Sequence, residues 1–128
     1  MKLTNNFSKS EFECRSGEEM PSDVLDNVKQ LAIQLQAIRD YVGKPIRINS
    51  AYRSKAHNKA IGGVKTSQHI LGKAADITID TFTPDEVVSI IENMLTNEML
   101  GSFYIGGLGS YSTFTHVDIR DKKARWAY

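Results

Sequence analysis

The sequence predicts an α+β domain: a small, mainly antiparallel sheet with two principal helices packed on it. Val24, Val28, Leu31, Leu35, Ile38 and Val42 recur at three- and four-residue spacing, the apolar stripe of one long helix. Ile46–Ser50, the 75–80 segment and the 113–120 segment instead alternate apolar with polar residues, the period of half-buried strands. The order of long helix, strand, loop, strand, second helix and paired strands then fits layered α+β architecture.

Each element has a local cause. Residues 1–21 read as irregular, with Phe7 and Phe12 anchoring them to the core. Ser22 is placed as N-cap of the long helix, which runs to about Val42 before Gly43 and Pro45 stop it. Ile46–Ser50 is a short strand. A helix over Lys55–Ile61 and a Gly62-Gly63 turn follow, and the small and polar residues up to Gln68 suit a loop that shapes a cleft. In the next strand Ala75, Ile77 and Ile79 face the core, with Asp76, Thr78 and Asp80 opposite. Thr83 caps the second helix, Pro84 takes its first position and Glu86 completes a capping box. Val87, Ile90, Ile91 and Leu95 are its expected core face. Phe103–Ile105 reads as a strand ended by Gly106-Gly107, and the 113–120 strand sets Thr115, Val117 and Ile119 against His116, Asp118 and Arg120. No repeat or linker divides the chain, so residues 1–128 are read as one domain.

Composition narrows the function classes. At 128 residues the chain buries a core without staples, and its 41% apolar and 24% charged content with net charge +1 is that of a soluble globular protein. The basic run Arg120–Arg125 reads as a solvated terminus, so no nucleic-acid partner is expected. No stretch reaches membrane-spanning length, and Met1–Phe7 lacks the apolar centre of a secretory signal. Synthesis in the cytoplasm and a monomeric state are therefore expected. The lone Cys14 forms no intrachain disulfide and reads as a small, semi-buried hydrophobe.

The chemistry concentrates in two segments. Of three histidines, His57 reads as an exposed helix residue, while His69 and His116 flank the strand that carries Asp76. Two histidines, one carboxylate and an open fourth position compose a catalytic zinc site rather than a structural one. Successive strand side chains point to opposite faces, so on adjacent strands Asp76 and His116 converge. His69 then reaches in from a loop turned back by Gly72.

Ser67-x-His69-x-x-Gly72-x-Ala74-x-Asp76, preceded by Ser50-Ala51-Tyr52-Arg53-Ser54 and followed by His116-Val117-Asp118, resembles the zinc D,D-carboxypeptidase and L-alanyl-D-glutamate endopeptidase family. These metallopeptidases cut peptidoglycan peptides and share the hedgehog-type fold. The resemblance runs from about Phe7 to Arg120 and is strongest to short, single-domain phage or prophage members. It implies one zinc ion per chain on His69, Asp76 and His116, a peptidoglycan peptide as substrate, and release to the cell wall by a partner such as a holin. It also implies that Arg53 faces the cleft and meets a substrate carboxylate or the polarised carbonyl oxygen, as a planar guanidinium suits. Ser67 and Gln68 either orient substrate or form the turn.

The sequence departs from the family in one respect. Many relatives place a proton acceptor two or three residues before the last zinc ligand, where this chain has Phe114 and Thr113. Asp118, two residues after His116 on the same strand face, is the candidate general base. Its alternative role is a hydrogen bond to a zinc-bound histidine or to Arg120. The missing acceptor also sustains a second class of function, a zinc-bearing module that binds peptidoglycan or protein without cutting.

Overall fold

The computed structural model describes residues 1–99 and 105–128. Three helices, α1 (Ser22–Val42), α2 (Lys55–Ala60) and α3 (Pro84–Thr96), accompany five strands. The strands are β1 (Ile46–Ser50), β2 (Ala74–Ile79), β3 (Gly107–Ser110), β4 (Thr115–Asp118) and β5 (Ala124–Ala127), in the spatial order β1-β2-β4-β3-β5. All pairs are antiparallel except β3 with β5, which is parallel. This is the expected α+β class with its mainly antiparallel sheet.

The long helix forms where its stripe requires. Val24, Val28, Leu31, Leu35 and Ile38 are buried, Val42 is half-buried, and Gly43 closes the helix in the left-handed region at φ 68° with its N–H on Arg39 O. Pro21, not Ser22, occupies the cap position, a shift of one residue. Thr83 and Glu86 form the reciprocal capping box at the start of α3. Val87, Ile91 and Met94 are its buried residues, so Met94 takes the place expected of Leu95, which with Ile90 is half-buried. These side chains join Phe7, Phe12 and Ile77 in one core, where each aliphatic group contributes about 1.5–3 kcal/mol.

Two expectations about the C-terminal third need correction. Phe103 and Tyr104 lie outside the described residues, and Ile105 is buried ahead of β3 rather than within a strand. Of the two glycines read as a strand end, Gly107 instead opens β3. A Cβ at Gly107 would overlap the Asp118 carboxylate, and one at Gly109 would overlap the Trp126 indole. The absent side chains make room for groups from both neighbouring strands. Arg120–Arg125 is likewise not a solvated tail throughout: Ala124 and Arg125 begin β5, and Arg125 pairs with Glu92 of α3 at 2.8 Å.

Candidate metal centre

Sheet register brings the three metal-ligating candidates together. Asp76 on β2 lies directly opposite His116 on β4, and the irregular β1–β2 register sets Ser50 on its other side. His69 sits in a 3-10 turn, Gln68–Leu71, whose first free N–H groups need a partner; Ser67 Oγ accepts from His69 N at 3.1 Å. Gly72 ends the turn at φ 74°, tight against Val24 and Val28 of α1, and Asn27 of α1 donates to Leu71 O. The long helix thus fixes where the His69 turn lies. All three ligand residues are buried.

Their donor atoms face one another. Asp76 Oδ1 lies 3.2 Å from His69 Nε2 and 3.3 Å from His116 Nδ1, and the three atoms fall within 4.8 Å of one another. Bonds of about 2.1 Å in a tetrahedral zinc site give ligand–ligand edges of about 3.4 Å. Each ring is held through its other nitrogen. His69 Nδ1 donates to Ala51 O at 2.7 Å, and His116 Nε2 donates to Asp118 Oδ2 at 2.7 Å. A carbonyl and an ionised carboxylate only accept, so both outer nitrogens carry the hydrogen and both inner ones present lone pairs. Two nitrogen lone pairs and a carboxylate oxygen at this spacing repel unless a cation lies between them. The residues fit zinc.

In the metal-free protein a proton between Asp76 and the inner ring nitrogens takes the place of the cation. Burial pushes the Asp76 carboxyl up, but hydrogen bonds from His116 and His69 outweigh it and hold the group well below the usual carboxylate range. Burial alone would lower His116, yet its bonds to Asp118 and Asp76 raise it above its ordinary value. Asp118 is fully buried; hydrogen bonds from His116 and Arg120 overcome desolvation and keep it ionised.

A cavity of about 370 Å3 opens onto the cluster, lined in part by Arg53, Gln68, Tyr111, Arg120 and Trp126. Arg53 does not project freely. Its Nη2 bonds Asp76 Oδ2 at 3.3 Å, Nη1 reaches Asn58 Oδ1 and Nε reaches Ser50 Oγ. Ser67 is a turn former by its cap, while Gln68 leaves its half-buried side chain in the cavity wall. Asp118 does not line the cavity. Its oxygens take His116 Nε2, the Arg120 backbone N–H and the Arg120 guanidinium, with Nη2 at 2.6 Å. Of the two roles open to it in the sequence, a hydrogen bond to a cluster histidine and to Arg120 matches its surroundings. His57 is half-buried on α2 and outside the cluster.

The donors come in the order of a histidine before β2, an aspartate within it and a histidine on β4. The Peptidase M15 family model matches residues 5–118. The chain belongs to the peptidase M15 family. Within that match lie all three M15 ligand candidates, Arg53 and Asp118. Over 85 residues the chain is also 34% identical to the zinc D-Ala-D-Ala carboxypeptidase of Streptomyces albus G. That similarity covers 66% of this chain and 32% of the relative, so the chain spans about a third of the relative's length.

Sequence reasoning missed the M15 cavity's aromatic wall. Trp126 lies beyond the family match, on β5. Its ring centroid is 5.0 Å from that of His116, its Nε1 donates to Tyr111 Oη at 3.0 Å, and Arg120 lies over its face at 5.3 Å. Tyr111 stacks on Phe114 at 4.4 Å. The glycine pair at 107 and 109 was the available signal, since it marks a strand face filled by its neighbours.

Proposed function

We propose that this M15 chain is a zinc peptidase that hydrolyses a peptide bond in peptidoglycan stems or cross-links, as a D,D-carboxypeptidase or an endopeptidase. One observation carries the reading: three donors with zinc spacing lie at the base of an open cavity, each histidine held by an acceptor on its far nitrogen. Zinc bound there supplies Lewis acidity, polarising a carbonyl and making water a nucleophile near neutral pH. His69, Asp76 and His116 hold it. Asp118 orients and electronically strengthens His116 from behind, the second of the two roles the sequence left open to it. Arg53 fixes the outer oxygen of Asp76 and offers a guanidinium edge at the cavity to a substrate carboxylate or developing oxyanion. Tyr111 and Trp126 line the cavity, with the indole beside His116.

A phage or prophage lysis enzyme, delivered to the wall by a pore partner, is the finer form of this reading and rests on the sequence resemblance. One observation favours a second reading, a zinc-bearing binding module: among the described residues that line the cavity, Asp76 is the sole carboxylate. Digestion of purified peptidoglycan by the zinc-loaded protein, with products identified by mass, separates the readings. Chelator-sensitive release of free D-alanine indicates a carboxypeptidase and larger stem fragments an endopeptidase. Full zinc occupancy without cleavage on several wall types supports the binding module.

A further inference from the structure

A second cavity, of about 860 Å3, shares Gly62, Gly63, Thr66 and Ser67 with the metal cavity, so the 62–67 turn is a wall common to both. Its chemistry is different. Lys55, Lys59 and Lys65 line it, and no aspartate or glutamate does. Lys55 and Lys59 lie four residues apart on α2, one turn apart on the same face, where like charges repel unless an anion sits between them. All three lysines are exposed, and none of their ammonium groups has a hydrogen bond or ion pair with the described residues. Asn58, Thr66 and Ser67 add neutral polar groups, and the aliphatic part is Ile70, half-buried, with Leu71, 45% exposed.

A cationic rim over a small aliphatic floor suits a peptide with methyl-sized side chains and free carboxylates. The shared wall is low. Gly62 stands in open space at φ 75°, while the Asn58 amide, bonded to Arg53, fills the place of a side chain at Gly63. Ser67, at the end of that wall, caps the turn that carries His69. A chain crossing at Gly62 passes from the lysines to the metal ligands.

We propose that the lysine-lined cleft is a subsite for the carboxylate-bearing part of the substrate peptide, whose scissile bond lies in the metal cavity. This rests on the peptidase reading and adds the class of group recognised beyond the scissile bond. The subsite contributes to binding, not to chemistry, and its contribution is screened by salt.

The test uses the zinc-loaded triple variant K55Q/K59Q/K65Q and two stem peptides, one with free side carboxylates and one with the same carboxylates amidated. For the acidic peptide the variant is expected to raise KM about tenfold, the scale of three exposed ion pairs, with kcat unchanged. The amidated peptide is expected to give one KM for wild type and variant, and 0.5 M salt to abolish the wild-type preference. Equal losses on both peptides, or none on either, would overturn the subsite. If wild type cuts neither peptide, the peptidase reading fails and the subsite is judged by calorimetric titration with the acidic peptide. Binding that the triple variant loses supports it; absent binding, or equal binding to both proteins, overturns it.

Discussion

Asp118 Oδ2 lies 2.7 Å from His116 Nε2, on the side of the ring opposite Nδ1, which faces Asp76 Oδ1 at 3.3 Å. A fully buried carboxylate, itself clamped by Arg120, therefore fixes which nitrogen of His116 presents its lone pair. Asp118→Asn keeps the shape and removes the charge. It is expected to weaken zinc binding by about 10–100-fold, with hydrolysis recovering as zinc is added. Zinc titration against a competing chelator reads the first effect. Unchanged zinc affinity with hydrolysis abolished at saturating metal would return Asp118 to the role of general base.

Protons and zinc compete for one cluster. In the metal-free protein His116 has its pKa raised above 6.5, because its bonds to Asp118 and Asp76 outweigh its burial. A raised histidine contributes stability that is fully present below the unfolded value and is lost as pH rises through the folded one. Metal-free protein is thus expected to lose thermal stability as pH climbs above about 6.5. Stabilisation by zinc should grow over the same interval, since the proton must leave before the metal binds. Melting curves with and without zinc across pH 6–9 would show the two trends diverging; parallel curves would count against the shared site.

Gly107 is a spatial requirement of the Asp118 carboxylate. Gly107→Ala sets a methyl group into that carboxylate and is expected to cost about 1–3 kcal/mol by denaturant unfolding, with weaker zinc binding. Wild-type stability together with wild-type zinc affinity would mean that Asp118 can move without disturbing His116.

Trp126 ties β5 to the cavity. Trp126→Ala removes an indole beside His116, a bond to Tyr111 and a cation–π contact with Arg120. A loss of about 1–2 kcal/mol in stability is expected, with a raised KM and zinc content unchanged. Trp126→Phe should recover much of the packing and not the Tyr111 bond. Loss of zinc from the alanine variant would show that the ring holds His116 itself.

Much of this arrangement was legible because it is local. The Thr83–Glu86 box and the Val24–Ile38 stripe are short-range signals, and both formed as read. Strand alternation put Asp76 and His116 on converging faces, which their direct pairing bears out. What was not legible depends on partners distant in sequence. Gly107 and Gly109 look like a turn until the Asp118 and Trp126 side chains that fill their places are known. Arg125 looks solvated until β5 pairs with β3 and Glu92 of α3 meets it. The depth of Asp118 was not legible either, because alternation gives a face and not a depth; β3 pairs alongside β4 and the carboxylate is fully buried.

The most direct test of the metal centre is X-ray absorption at the zinc edge on protein loaded with one equivalent of metal. The account predicts a four-coordinate site with two imidazole nitrogens and carboxylate oxygen at about 2.0–2.2 Å, and one exchangeable light-atom ligand. His116→Ala should lose one imidazole from that spectrum. A sulfur ligand at about 2.3 Å, or a spectrum unchanged by His116→Ala, would contradict it.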